Sequence, residues 1–196
     1  MIFYTPLFEG QLVRLAAIDL EHDTQVESRW TLDGDYQRMM GVDLVRPLSP
    51  AQVKKNYLEI EKEIDEKGDQ FYFAVRRLPG AEVNDPDELL GFVRLEGIEW
   101  SHGVGALSLA IGDPIHRRKG FGSDMLRLIL RYAFLELNLH RVSASVPAYN
   151  QAAIKLFQKA TFKIEARQRE AYHWAGERWD KYYLGLLREE WEQGSW

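Results

Sequence analysis

A chain of 196 residues that is 45% hydrophobic and 28% charged is long enough to bury a proper core and too mixed in composition to be fibrous or disordered. Zero cysteines exclude disulfides, thiolate metal sites and a cysteine nucleophile, and they suit a reducing compartment such as the cytoplasm. A formal net charge of −5 argues against nucleic-acid binding by broad phosphate neutralisation, while an acidic surface tolerates cationic substrates.

Neither a linker nor a repeat interrupts the chain, so one domain over residues 1–196 is expected. Met1 to Gly10 lacks a charged n-region and an apolar h-region, and nowhere do about 18 apolar residues run together, so neither secretion nor membrane insertion is expected. Leu12 to Ala16 reads as a first strand, and Asp19 to Met40 as broadly helical with a break around Leu32–Asp35. Ser49-Pro50-Ala51-Gln52 is a helix start, with Ser49 as N-cap, Pro50 in the first turn and Gln52 completing a capping box; the helix runs to about Glu66. Gln70–Arg76, Leu89–Trp100 and Val104–Ile111 read as three strands of an antiparallel meander, with a Pro/Gly/Asp loop at 77–87 and a turn at Ser101-His102-Gly103.

Helical spacing returns in Met125, Leu128, Ile129, Tyr132 and Ala133, and that helix ends near Asn138. Val142, Ala144 and Val146 then alternate as a strand, followed by Asn150 ahead of a short helix carrying Ile154, Leu156, Phe157 and Ala160. Another strand starts about Phe162, Ala175-Gly176 is a hairpin turn, and Tyr182–Leu187 is the final strand. Strand, glycine loop, helix and strand make a parallel crossover in an otherwise antiparallel sheet.

The stretch with the most chemistry is His116-Arg117-Arg118-Lys119-Gly120-Phe121-Gly122-Ser123, between the strand ending at Ile111 and the long amphipathic helix. Gly120 and Gly122 let the backbone turn tightly and approach a ligand with no Cβ in the way. A helix beginning near Phe121 offers unpaired N–H groups and the positive end of its dipole, so a pyrophosphate is a natural guest, with Arg117, Arg118 and Lys119 adding charge. The dinucleotide fingerprint wants a third glycine where Met125 stands, and a P-loop wants Ser or Thr after Gly-Lys. A basic surface turn remains the plain alternative.

These residues resemble the GNAT acyl-CoA N-acyltransferases. The family signature of Arg or Gln, two residues, Gly, one residue, then Gly or Ala is filled by Arg117, Gly120 and Gly122, after Gly112-Asp113-Pro114. A second signature, an Asn before a short helix ending in a Lys-Leu-Gly-Phe-like turn, is similar to Asn150 through Phe162. Leu12-Val13-Arg14-Leu15 and Leu187-Arg188-Glu189-Glu190-Trp191 further resemble the branch that acetylates ribosomal-protein N-termini and related amines. The resemblance implies an α/β (α+β) fold with a mixed, mostly antiparallel sheet of about six to seven strands flanked by helices and splayed between the fourth and fifth. It also implies acetyl-CoA as co-substrate and a primary amine, on a protein N-terminus or a small molecule, as acceptor. A homodimer is a further expectation from the family. By resemblance, backbone groups of Leu109, Ala110 and Ile111 hold the pantetheine arm and thioester. Amides from Arg117, Arg118, Lys119, Gly120, Phe121, Gly122 and Ser123 bind the pyrophosphate, and Asn150 and Phe157 border the pantetheine region.

The catalytic positions depart from the family pattern. Ala106 stands where many relatives have a Glu on the fourth strand, Phe157 replaces a proton-donating Tyr, and Thr161 stands where Gly is common. Replacement bases are Glu96 and Glu99 on the neighbouring strand, His102 in the adjoining turn and His173 near the tail hairpin, each also readable as plain surface. Asp33 and Asp35 are candidates for holding a cationic acceptor or are turn formers, and Trp30, Trp100, Trp174 and Trp179 either line an acceptor pocket or pack in the core. No His/Asp/Glu grouping has metal-site spacing, so no metal is expected. The alternative to an acetyltransferase is a non-catalytic acyl-CoA-binding or regulatory module.

Overall fold

The computed structural model describes residues 6–79 and 87–194. The elements in chain order are β1 (Val13–Ala16), α1 (Asp23–Trp30), α2 (Gly34–Met39), α3 (Pro50–Lys67), β2 (Phe71–Arg77), β3 (Leu89–Glu99) and β4 (Val104–Ile111). They continue with α4 (Phe121–Arg131), β5 (Arg141–Pro147), α5 (Gln151–Lys159), β6 (Lys163–Trp174), β7 (Glu177–Leu187) and α6 (Arg188–Gln193). The strands form one seven-stranded sheet in the order β1-β2-β3-β4-β5-β7-β6, antiparallel except for the β4–β5 pair. Most of the 77–87 loop read from the sequence lies outside the described residues.

Alternation in the strands sends Val75, Val93, Leu95, Leu107, Val142 and Leu184 to one face. There they meet Met125, Leu128 and Ile129 of α4 and Ile154 and Phe157 of α5 in the main core. A smaller cluster of Trp30, Tyr36, Ala74, Leu89 and Ala110 covers the opposite face under α1 and α2. Helices thus flank the sheet on both sides, as the family resemblance implied.

Local chemistry explains most boundaries. Ser49 Oγ accepts from the Gln52 N–H at 3.3 Å while Gln52 Oε1 accepts from the Ser49 N–H at 2.9 Å, the reciprocal capping box the sequence announces. Gly68 in the left-handed region ends α3 one residue past the expected stop. Asp19 does not begin a helix, because its carboxylate accepts the N–H groups of Glu21 and His22 and builds a turn instead, so α1 starts at Asp23.

Three elements differ from the sequence reading. The long helix after the glycine loop is α-helical only to Arg131 and widens into a π segment over Tyr132–Glu136, in which Leu137 N–H donates to the Tyr132 carbonyl at 3.0 Å. The last strand begins at Glu177, five residues before Tyr182, because in the outer β6–β7 ribbon both faces of the first residues meet solvent and no hydrophobic alternation marks them. Arg188–Gln193 forms a short helix, α6, anchored where Trp191 packs on Phe134 with ring centroids 5.2 Å apart.

Candidate acyl-CoA and acceptor site

The site begins where two strands part. β4 pairs with β5 only at Val104–Arg141, Gly105–Val142 and Ala106–Ser143. Beyond that point β4 keeps its register with β3 as far as Ile111, and β5 keeps its register with β7 as far as Pro147, so the sheet opens in a wedge between them. The edge of β4 from Leu107 to Ile111 therefore faces a gap in place of a neighbouring strand, and its peptide groups are available to an extended ligand arm.

At the wide end of the wedge the chain turns through the basic loop. Asp113 Oδ1 accepts from the Ile115 N–H at 2.9 Å and nucleates one 3₁₀ turn, Pro114–His116. Arg118 at φ +61° and Gly120 at φ +90° reverse the backbone, and Gly120 is the N-cap of α4. A Cβ on Gly122 would lie 3.5 Å from Leu156, an ordinary contact, so glycine there leaves surface open without being demanded by internal crowding. The first-turn N–H groups of α4 point along the helix axis without intrahelical acceptors. Asp124 fixes that helix end, since its buried carboxylate accepts from the Leu12 and Val13 N–H groups at 2.7 and 3.1 Å.

Wedge and loop enclose a cavity of about 520 Å³. Its floor is Leu109, Ala110 and Ile111, and one end is His116, Arg117, Arg118, Gly120, Gly122 and Ser123. Asn150, Ala153 and Leu156 of the β5–α5 corner form one wall; Tyr36, Met39 and Met40 form the roof, with Tyr149 beside them. The roof is tied across the wedge, because Tyr149 Oη donates to the Arg38 carbonyl at 2.7 Å and Asn150 Nδ2 donates to the Met39 carbonyl at 2.9 Å. Both contacts cap the C-terminal end of α2.

Most of the residues singled out in the sequence for a cofactor come together here, with three exceptions. Lys119 belongs to the loop but not to the cavity wall. The Phe121 ring is buried in the main core, 6.1 Å from the His116 ring and with the Arg77 guanidinium 5.6 Å from its centroid, leaving only its backbone for a ligand. Phe157 is likewise a core residue, packed edge-on against Phe162 at 5.0 Å, and it is Ala153 and Leu156 of the same helix that face the cavity. The Asn150 side chain is an N-cap and a tether together, accepting from the Ala153 N–H at 3.1 Å while holding α2. Arg117 reaches the Gly112 carbonyl at 3.1 Å and Asp33 at 3.7 Å.

The candidate bases separate by position. Glu96 is the cross-strand partner of Ala106, the last β4 residue before the wedge opens, and it pairs with Arg94 at 3.1 Å. Glu99 and His102 face each other at 4.0 Å in the exposed β3–β4 turn, beyond the paired end of β4. His173 is exposed next to the β6–β7 turn, opposite Arg178. Asp33 caps α2 by accepting from the Asp35 N–H at 3.0 Å, and Asp35 pairs with Arg38 at 3.1 Å.

The tryptophans divide too. Trp30 is buried against Gly112, where a Cβ would fall 2.0 Å from the indole, and Trp100 donates from an exposed turn to the Gly68 carbonyl at 3.0 Å. Trp174 and Trp179 are half-buried around Tyr149.

Beneath the roof lies a polar group that sequence patterning did not reveal. Glu27 of α1 accepts hydrogen bonds from Tyr36, at 3.2 Å, and from Tyr57. Burial pushes its carboxyl above the ordinary value of 4.5, against the opposing pull of the two phenols. Beside it Asp23 and Arg76 form a buried pair with two contacts of 2.9 Å. Tyr36, Met39, Met40 and Tyr149 also escaped the sequence reading; the one available signal was that Tyr149 immediately precedes Asn150. Among the described residues no group of three or more His, Asp or Glu is arranged to hold a metal, and no helix is long and apolar enough to cross a membrane.

Residues 13–163 match the acetyltransferase (GNAT) domain. The chain belongs to the GNAT acetyltransferase family. A prophage-derived uncharacterized N-acetyltransferase of Bacillus subtilis, YokL, is 30% identical over 110 residues, covering 56% of this chain and 62% of that protein. The chain thus spans less than two thirds of that relative's own length. The probable N-acetyltransferase YjcK of Bacillus subtilis is 32% identical over 144 residues, covering 71% of this chain and 74% of that protein. Among solved structures, the spermidine N-acetyltransferase of Vibrio cholerae in complex with CoA and spermine superimposes with a TM-score of 0.73 at 20% identity, covering 92% of this chain and 98% of that one. That last likeness concerns the GNAT fold.

Proposed function

We propose that this GNAT domain transfers the acetyl group of acetyl-CoA to a primary amine, on a small molecule or a protein N-terminus, by direct attack. The observation that carries the proposal is the cavity, which joins an open β4 edge to a basic glycine loop at a helix N-terminus. Such a shape accepts a ligand with an amide-bearing arm at one end and a pyrophosphate at the other. The pantetheine arm would run along Leu109–Ile111, and the pyrophosphate would meet Arg117, Arg118 and the amides of Gly120–Ser123.

In this reaction the amine nitrogen bonds to the thioester carbonyl carbon, the C–S bond breaks, the amine gives up a proton and the departing thiolate takes one. Positioning the amine and holding the oxyanion against β4 amides supply part of the rate. Deprotonation sets the remaining demand. A lysine-like amine of pKa about 10.4 needs roughly 4 to 5 kcal/mol to lose its proton at pH 7, whereas an α-amino group near 8 needs only about 1 to 1.5 kcal/mol. Glu96 is the candidate base best supported, because it lies across from Ala106 at the closed end of the wedge, one strand over from the family's usual carboxylate. Phe157 cannot return the proton to sulfur, so a water or a hydroxyl such as Tyr36 or Tyr149 takes that role in this reading.

The finer placement, in the branch acting on ribosomal-protein N-termini, rests on the likeness of Leu12–Leu15 and Leu187–Trp191 alone. The reading also treats residues 1–196 as one domain working in the cytoplasm, with a homodimer as its assembly. Release of CoA thiol from acetyl-CoA across a panel of amines, peptides and polyamines tests the proposal. Tight acetyl-CoA binding with no thiol released by any acceptor would instead establish a non-catalytic acyl-CoA module.

A further inference from the structure

The roof end of the cavity has a chemistry of its own, and if the acetyl-transfer reading holds it selects the acceptor. We infer that the acceptor is a monoamine with an aromatic or apolar body, and that polyamines are poor substrates. Tyr149 stands at the cavity wall and is surrounded by Tyr172, Trp174 and Trp179, with ring centroids 6.0, 5.0 and 5.8 Å from its own. Of these rings Tyr149 lines the cavity, and the other three, half-buried, pack against it and set its position. Beside Tyr149 the roof contributes Tyr36, Met39 and Met40, one more ring and two thioethers that adapt to a flat apolar guest. Gly41 holds the end of the roof close to the cluster, since a Cβ there would fall 2.7 Å from Tyr172 Oη.

The charges point the same way. The ionisable wall residues apart from the tyrosines are His116, Arg117 and Arg118, and no carboxylate lines the cavity among the described residues. The carboxylates that touch wall residues are engaged from behind the wall: Glu27 with Tyr36 at 3.2 Å, Glu88 with His116 at 3.0 Å and Asp33 with Arg117 at 3.7 Å. Lys181 lies over the rings of Tyr172 and Tyr183, 5.9 and 5.3 Å from their centroids, which uses faces a substrate cation would seek. With Arg117 and Arg118 given to the pyrophosphate, a polyamine would still bring several ammonium groups to a roof wall that carries no carboxylate, and each unpaired charge resists leaving water. A monoamine sheds its one proton in the reaction and puts its apolar body against Tyr149, Tyr36 and the two methionines. The chain's overall negative charge therefore does not extend to this wall.

The test uses the purified full chain with saturating acetyl-CoA and follows thiol release with 2-phenylethylamine, tryptamine and spermidine. The expected kcat/KM for the two aromatic amines exceeds that for spermidine by at least about tenfold. Trp179→Ala should lower kcat/KM for the aromatic amines by about tenfold and leave the acetyl-CoA Kd unchanged, while Trp179→Phe, which keeps a ring, recovers most of the loss; melting curves verify that both variants fold. Equal or better use of spermidine, or no acetylation of either aromatic amine by protein that binds acetyl-CoA, overturns the inference. A protein with no thermal shift on adding acetyl-CoA would overturn the reading of the cavity itself, and this inference with it.

Discussion

The two ends of the cavity are built on different principles. The loop end is made mainly of backbone: an open strand edge, a left-handed glycine and a helix N-terminus, backed by Asp124. The roof end is made of side chains borrowed from distant parts of the chain, with Tyr149 and Asn150 reaching residues 111 positions earlier in sequence. Backbone geometry suits a cofactor shared by a family, because almost any side chains can support it. Side-chain geometry suits an acceptor, which must distinguish one protein from another.

Breaking each end separately should expose that division. The largest effect is expected from Asp23→Ala, which removes the two-contact partner of buried Arg76 beneath the roof and leaves it only the Asp87 carboxylate at 3.9 Å and the Asp87 carbonyl at 3.2 Å, and should cost about 3 kcal/mol of unfolding free energy. Chemical denaturation measures it, and the loss should be far smaller if Arg76 is replaced by Met in the same protein. Gly122→Glu attacks the other end by placing a carboxylate where the pyrophosphate is expected, and should weaken acetyl-CoA about 100-fold, or about 2.8 kcal/mol, in a calorimetric titration. Glu96→Gln should lower kcat by about 100-fold while leaving the acetyl-CoA Kd unchanged; an unaltered kcat would remove Glu96 from the mechanism.

Smaller changes sharpen the comparison. Asn150→Ala removes both the α5 cap and the Met39 tether, with an expected loss of about 1 to 2 kcal/mol and a rise in acceptor KM read from initial rates. Thr161 is a β-branched residue at φ +66°, so Thr161→Gly should relieve strain and raise stability by about 1 kcal/mol without touching either end of the cavity.

Glu27 gives the pH test. Its carboxyl is raised by burial, so the fold favours the protonated form. That contribution is complete below the unfolded value of 4.5 and is lost as pH climbs from there through the raised folded value. Glu27→Gln should abolish this component, giving a flatter stability profile over the same window. A wild-type profile that rises with pH there in step with the variant would show Glu27 ionised in the fold.

Much of the loop end was legible in the sequence. Glycine spacing, the basic residues and the start of the amphipathic helix are local signals, and Gly120 takes the positive φ that glycine permits. The Ser49–Gln52 capping box is local for the same reason. Phe121 and Phe157 show the limit of that method, since a motif marks a segment but not which way each side chain turns, and both rings face the core. Tyr36, Met39 and Met40 belong to a short amphipathic stretch that looks like any other, and only their position over the wedge gives them a surface to line.

The sequence by itself determined the strand–glycine loop–helix unit, the meander before it and the family, because each depends on periodicity or on backbone preferences acting over a few residues. The tertiary structure decided where β4 and β5 separate, which carboxylate stands opposite Ala106, and which rings gather around Tyr149. Those features depend on register and on contacts between residues far apart in the chain, and neither is encoded in any single stretch of it.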